Sequence, residues 1–507
     1  MMHALIAPIL LPLGAGCVLL LVRDNAVIQR AISLLACLAL LMLAVFLLRE
    51  STLAIHTYRL GNWIPPFGIV LVLDRLSALM LLTNSILALL VLWYACAGDD
   101  RHGRFFHALF QFQLVGINGA FLTGDLFNLF VFFEILLIAS YGLLLHGSNP
   151  TLTNDDKRSE RVSAGVPYVV LNLVGSALFL FAAGIFYGVA GTLNFADLAR
   201  FMTISNHAGS LASIAPLLMP ATLLLLLVFG LKAALVPLHF WLPRSYSVAS
   251  APVAALFAIM SKIGIYALLR TQTLMLGSDS ALHALLTPWL YTLGVMTIVI
   301  GAIGALAATA LTELVAYMVI VSIGTLTLAL ALDSISATTA LLYYLLHSTW
   351  IGAGMFLLAA QIDRYIDAGI SLRYRRLLAT LFLCGAMALI GVPPLSGFIG
   401  KLLLLQSAID TARGWIWSSV LLSSLAALIV FSRIGTLIFW KTEATNSTGA
   451  EHSSFKAISA TTVLLSLSIV LSASASPIVK ALSAAAQQLF EPQRYISAVL
   501  SPAEQQP

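Results

Sequence analysis

Apolar positions in this chain neither alternate nor keep to one helical face. They run nearly unbroken between short polar interruptions, near residues 3–22, 30–48, 69–97, 105–124, 125–146, 164–189, 213–241, 250–270, 284–307, 312–332, 335–361, 376–407, 414–440 and 456–490. A helix needs about 20 apolar residues to cross a bilayer, and runs of this length are too long for strands. The pattern predicts an all-α integral membrane protein with about fourteen transmembrane helices. The first run, His3 to Val22, lacks a basic flank before it and is long enough to span, so it reads as a retained helix rather than a cleaved signal.

Composition agrees with the pattern. Of 507 residues, 60% are hydrophobic and 9% charged, and the mean hydropathy is +0.99. Soluble domains carry about 25% charged residues, which excludes a cytosolic globular protein. The net charge of +5 does not point to nucleic acid, because the basic residues sit in short loops and report orientation. One set of alternate loops holds Arg23, Arg30, Arg101, Arg104, Lys157, Arg158, Arg161, Arg244, Arg364, Arg373, Arg375, Arg376, Lys441 and Lys456. The other holds Arg49, Arg59, Arg200, Arg270, Arg413, Lys480 and Arg494. Fourteen against seven places both termini outside a bacterial inner membrane. The longest polar interruptions, 147–163 and 441–454, are loop-sized, so the chain has no catalytic headpiece and reads as a transporter subunit rather than an enzyme. Cys17, Cys37, Cys96 and Cys384 are scattered without C-x-x-C spacing, and the histidines show no facing pair. No cofactor is expected, and the residues leave open whether any metal ion binds.

Two spans are interrupted by proline, at Leu235-Val236-Pro237-Leu238 in span 7 and at Gly391-Val392-Pro393-Pro394-Leu395 in span 12. Broken helices at corresponding positions of two halves indicate inverted repeats with a pathway near the bilayer midplane. The expected division is residues 1–104 for helices 1–3, 105–270 for a first five-helix repeat (spans 4–8), 284–440 for a second, inverted one (spans 9–13), and 441–507 for helix 14 and a tail.

Charge inside the apolar runs decides the candidate chemistry. Three of the seven lysines, Lys232, Lys262 and Lys401, lie deep within spans, as does Glu134 behind Leu129-Phe130-Val131-Phe132-Phe133. Each such group costs about 2.5–3.5 kcal/mol at a helix centre, so each must face protein or water and find partners. Glu134 on span 5 and Lys232 on span 7 form the expected opposite-sign pair, either a poised proton carrier or a static lock of helix register. Lys262 on span 8 and His347 on span 11 have no acidic neighbour on their own helices. A histidine between lysines suits proton relay, since its charge changes near neutral pH. Lys401 follows the second break. His239, two residues after Pro237, is a candidate relay entrance. Asp125 is expected to cap span 5, Asp74 and Arg75 to neutralise each other, and Arg433 to snorkel toward the cytoplasmic surface.

At these residues the chain resembles the antiporter-like subunits shared by respiratory complex I and the Mrp-type monovalent cation/proton antiporters, and within them the D-subunit branch. The likeness is carried by Leu122-Thr123-Gly124-Asp125-Leu126-Phe127-Asn128-Leu129-Phe130-Val131-Phe132-Phe133-Glu134 and by Lys232-Ala233-Ala234-Leu235-Val236-Pro237-Leu238-His239-Phe240-Trp241-Leu242-Pro243-Arg244-Ser245-Tyr246. Complex I relatives generally carry an acidic residue at the place of Arg244. The resemblance implies fourteen helices in two inverted five-helix repeats, with Glu134 and Lys232 as paired entrance, Lys262 and His347 as central relay and Lys401 as terminal lysine. It also implies work inside a hetero-oligomer of other Mrp subunits, embedded in the lipid bilayer, that exchanges external H+ for internal Na+ or K+ without a redox cofactor. The chain departs from the family pattern between spans 9 and 10, where Ala308-Thr309-Ala310-Leu311-Thr312-Glu313 holds no basic residue. Two other readings share these features: a proton-pumping subunit of a complex I-like or membrane-hydrogenase redox complex, and an inactive scaffold.

Overall fold

Backbone polar groups have no water to bond in a bilayer, so only helices or closed barrels cross it, and this chain answers with helices. The computed structural model describes residues 2–22, 24–146, 155–209, 211–277, 280–368, 372–408, 413–439 and 454–501. Arg23, Lys441 and segments 147–154 and 440–453 of the two polar stretches lie outside the described residues, as do the side chains of Lys157, Arg158, Arg373 and Arg413.

The chain opens with α1 (Ala7–Leu21) and α2 (Ala26–Ser51), then a two-stranded antiparallel hairpin, β1 (His56–Arg59) with β2 (Val70–Leu73), in which His56 faces Leu73 and Arg59 faces Val70. There follow α3 (Arg75–Ala95), α4 (Phe106–Leu122), α5 (Leu126–Leu144), α6 (Asp155–Ala190), the short α7 (Phe195–His207), α8 (Leu211–Ala233), α9 (Trp241–Val248), α10 (Ala251–Phe257), α11 (Met260–Arg270) and α12 (Ala281–Ala307). The second half continues with α13 (Leu311–Ala331), α14 (Ile335–Ala368), α15 (Leu372–Ile390), α16 (Ser396–Ser407), α17 (Arg413–Phe439), α18 (Phe455–Ala473), α19 (Ala475–Leu489) and α20 (Pro492–Leu500).

Among the described residues, eleven helical stretches are long and apolar enough to cross a membrane, α10 and α11 counting as one. The shorter apolar α1 and α4 and the interrupted pair α15–α16 complete the fourteen expected spans. The run near 456–490 is not one helix: α18 ends at Ala473, and α19 and α20 continue beyond it. Nor is the run near 213–241, since α8 stops at Ala233.

Burial sorts the spans into layers. The apolar stretches of α10–α11 and of α14 are wholly buried and that of α13 nearly so, whereas α2, α6, α12 and α17 expose most of theirs. The helices that carry Lys262 and His347 are therefore the centre of the bundle.

Both faces are stitched by polar contacts. On one, the turn after α3 gathers basic residues from the ends of other helices. Arg30 makes two 2.6 Å bonds to Asp100, His107 lies 3.1 Å from the same carboxylate, and Arg364 pairs with Asp99. Burial opposes ionisation of Asp100, but Arg30 and His107 outweigh it and hold that carboxyl below the usual carboxylate range. Arg30, Arg161 and Arg364 belong to the basic-rich set of loops, and Arg161 bonds the His146 carbonyl at 2.7 Å on the same face. On the other face, Gly124 N–H donates to Val70 (2.8 Å) and Phe195 N–H to Gly124 (2.9 Å), so the hairpin and the α4–α5 and α6–α7 turns form one plate. A Cβ on Gly124 would meet Val72 at 2.8 Å.

Three expectations resolve here. Asp125 caps α5, accepting the Asn128 N–H at 2.8 Å. Arg433 does not run to the surface alone: it donates to the Leu306 and Ala308 carbonyls at 3.0 and 2.7 Å, and so places a cation at the turn that lacks basic residues of its own. Asp74 and Arg75 do not neutralise each other. Asp74 caps α3 and makes a two-pronged bond to Arg270 at 2.5 and 2.6 Å, because Arg75 begins α3 and points away toward the end of α2.

Candidate functional site

Both proline breaks are built alike. Ala234 (φ 62°) and Gly391 (φ 84°) adopt the left-handed conformation directly after α8 and α15. Leu235 N–H then reaches back to Gly230 (2.8 Å) and Val392 N–H to Met387 (3.0 Å), the C-terminal closure that a left-handed residue permits. The groups freed by each break find partners from elsewhere. Val236 N–H donates to Thr297 Oγ1 (3.0 Å) and Trp241 Nε1 to the Leu231 carbonyl (3.1 Å). At the second break the Ile390 carbonyl is taken by Lys401 Nζ itself at 2.8 Å.

Two of the buried lysines thus share one solution. Lys232 lies in the last turn of α8, and Lys401 reaches back to the last carbonyl of α15. A helix C-terminus carries partial negative charge, so each ammonium sits at the favourable end of a half-helix.

Lys232 and Glu134 are not in direct ionic contact. Glu134, partly exposed on α5, accepts a short hydrogen bond from Ser176 Oγ. Lys232 Nζ donates to Asn172 Oδ1 at 3.3 Å and stands 5.7 Å from the Phe133 ring. Asn172 and Ser176 are four residues apart on α6, and the Ser176 hydroxyl oxygen lies 3.0 Å from the Asn172 backbone carbonyl. The two charges remain close enough to act on each other electrostatically. A hydroxyl therefore holds one charge and a neutral amide the other, both from α6.

From Lys232 the row passes to α11. Gly264 lies against the Ala233 backbone so closely that a Cβ would fall 2.5 Å from its nitrogen, which lets α8 and α11 cross beside both lysines. The helix of Lys262 is itself interrupted between α10 and α11, where Tyr246 Oη bonds the Phe257 carbonyl at 2.7 Å. Lys262 is fully buried, and its ammonium has one weak contact, Ser322 Oγ on α13 at 3.5 Å. His347 stands within electrostatic reach of both Lys262 and Lys401. Its Nδ1 lies 2.7 Å from Ser396 Oγ, which lies 2.7 Å from Ser468 Oγ. A Cβ on Gly397 would meet the Ala388 carbonyl and come within 2.9 Å of His347 Nε2, so glycine is what lets α16 sit there. Lys401 also donates to Ser424 (2.8 Å) and opens onto a cavity of about 290 Å³ walled by Gly391, Phe398, Leu405 and Leu428.

Glu134, Lys232, Lys262, His347 and Lys401 thus form a row with hydroxyls and an amide beside them. His239 stands apart: its ring lies against Phe240, and among the described residues its Nδ1 has no hydrogen-bond partner and no bond joins it to Lys232. Asn172, Ser176, Ser322, Ser396, Ser468 and Ser424 were not singled out from the sequence. Asn172 with Ser176, at i and i+4 on an apolar helix, is the one signal that could have been read.

The chain as a whole has relatives. The family described as NADH:quinone oxidoreductase/Mrp antiporter, transmembrane, matches residues 123–429, from the α5 cap to α17. The chain belongs to this family. Over 98% of both chains it is 39% identical to a protein of Rhizobium meliloti (strain 1021) named as the D subunit of a probable K(+)/H(+) antiporter. It is 34% identical to the D subunit of the Na(+)/H(+) antiporter of Bacillus subtilis (strain 168), covering 99% of this chain and 100% of that one. A chain in the structure of the Mrp complex from Dietzia sp. DQ12-45-1b superposes with a TM-score of 0.88 at 28% identity, over 99% of this chain and all of that one. The matched region of this antiporter family includes every residue of the row.

One prediction concerns the amide. Asn172→Leu is expected to leave Lys232 without its amide and to slow cation-coupled proton movement about tenfold, whereas Ser163→Ala, which removes only a contact to Arg244, leaves the rate unchanged. Cation-dependent pH recovery in inverted vesicles reads both.

Proposed function

We propose that this chain is the D-type membrane component of a multisubunit monovalent cation/proton antiporter, a secondary active transporter rather than an enzyme. Protons move along Glu134, Lys232, Lys262, His347 and Lys401, driven by exchange of H+ against Na+ or K+ in the assembled complex. The observation that carries the reading is the row itself: three buried lysines whose ammonium groups have, among the described residues, neutral hydrogen-bond partners and electrostatic neighbours at their sides. A scaffold would gain nothing from three such charges, because apolar residues of similar volume pack at lower cost.

In this reading a proton reaches Glu134, held by Ser176, and passes from there to Lys232, which Asn172 Oδ1 orients as a hydrogen-bond acceptor. Each later transfer neutralises one ammonium and recharges the next. His347, able to bind or release a proton at either ring nitrogen, connects the halves. The two matched breaks favour the division into repeats at 105–270 and 284–440, and the distribution of basic loops favours both termini outside a bacterial inner membrane. The redox alternative shares the family, but both of the D-type relatives bear antiporter names.

The test is co-expression with the neighbouring subunits, followed by cation-dependent pH recovery in inverted vesicles and a parallel check of assembly. Glu134→Ala and Lys232→Ala are expected to abolish exchange in intact complexes. Full exchange by either variant would sink the relay, and loss of assembly in both would favour the scaffold.

A further inference from the structure

The displacement of Arg75 from Asp74 leaves a cation at the mouth of an apolar cleft. Asp74 is satisfied by Arg270 and by its own cap. Arg75, the first residue of α3, donates through one terminal nitrogen to the Thr52 carbonyl at 3.2 Å, its Nε is buried without a partner, and no carboxylate pairs with it among the described residues. The cleft beside it holds about 430 Å³ between α2, α3, α14, α18 and α19, and its lining is almost entirely apolar.

The depth of the cleft is legible from the helices. Arg75 and Thr52 stand at the start of α3 and the end of α2, where these two apolar spans give way to the polar hairpin loop. Thr83 and Trp350 line it further in; eight residues of α3 separate Arg75 from Thr83, about 12 Å along the axis. The outer wall is α19, held over α3 by the Arg75 N–H to Gln488 Oε1 bond (3.0 Å). Ala481, Ala484 and Ala485 on that wall leave the room that larger side chains would fill.

We propose that this cleft is a binding site for one anionic phospholipid, with an acyl chain between α3, α14 and α19 and its phosphate on Arg75. The chemistry is complementary at both ends: methylenes against leucine, alanine and tryptophan, and a phosphate oxygen against a guanidinium with an unused N–H at headgroup depth. Exposed Lys480 is a second cation, on the wall helix itself. Leu346, which precedes His347, lines the cleft, so the bound chain would pack directly behind the relay helix.

The experiment uses the whole purified complex, exchanged into detergent and then offered mixed vesicles of phosphatidylglycerol and phosphatidylcholine, with bound lipid counted by native mass spectrometry. The wild type is expected to retain one phosphatidylglycerol per copy of this chain. Arg75→Gln should reduce retention roughly fivefold and erase the preference for the anionic headgroup, and Arg75→Lys should keep it. Ala481→Leu together with Ala484→Leu should exclude either lipid. Unchanged retention in both Arg75→Gln and the filled-cleft variant would overturn the proposal. So would a cysteine at Ala481 that cross-links to another subunit's helix in the wild-type background, since the cleft would then hold protein.

Discussion

Lys262→Met is expected to abolish cation-coupled proton exchange, by about a hundredfold or more, while the complex stays assembled and its thermal stability is unchanged or higher. The surroundings of this ammonium decide the outcome. Lys262 is fully buried, lies beside the interruption between α10 and α11, and among the described residues its ammonium has one hydrogen-bond contact, Ser322 Oγ at 3.5 Å. A methionine of similar volume fills the same space, removes an expensive buried charge and strands no counter-ion. The contrast with Lys401 is instructive, because that lysine satisfies the Ile390 carbonyl and Ser424, so removing it also frees the end of α15. Thermal inactivation of the assembled complex and pH recovery in inverted vesicles separate the two effects. A Lys262→Met complex that exchanges normally would remove Lys262 from the relay. One that falls apart would make the lysine structural.

How much of this was legible in the sequence depends on the kind of interaction. The spans were readable because about 20 apolar residues in a row have few other uses. The breaks were readable because Pro237 and Pro394 cannot continue a helix. The boundaries were less so: the runs near 213–241 and 456–490 are apolar throughout, yet α8 stops at Ala233 and α18 at Ala473. Hydropathy does not register where a backbone turns. The interruption before Lys262 gave no proline or glycine signal at all, since residues 258 and 259 are alanine and isoleucine. The buried charges announced themselves by cost. Their partners did not. Ser176 holds Glu134 and Asn172 holds Lys232, and a serine on an apolar helix looks alike whether it bonds its own backbone or a neighbour's ammonium. Asp74 illustrates the same limit, because adjacency in sequence suggested Arg75, whereas the fold brought Arg270 from 196 residues away.

That last pair carries the second large effect. Asp74→Ala is expected to cost about 3–5 kcal/mol, because it leaves the Arg270 guanidinium buried without its carboxylate. Both side chains are almost completely buried, and Arg270 also bonds Tyr266 Oη at 3.2 Å and faces the Tyr495 ring at 5.7 Å. The group therefore joins α3, α11 and α20, three elements far apart in the chain. Removing both charges with apolar residues of similar bulk, Asp74→Leu with Arg270→Met, should recover most of the loss, since no charge is then stranded. The midpoint of thermal inactivation of the complex is the readout. Arg270 lies eight residues beyond Lys262 on the same helical stretch, about 12 Å along its axis, so the pair serves as an anchor for the relay helix and not as a member of the row. The double variant should accordingly exchange cations at close to the normal rate. A double variant as stable as the wild type but unable to exchange would show the opposite, that the proton route runs through Asp74 and Arg270 on its way to the hairpin face.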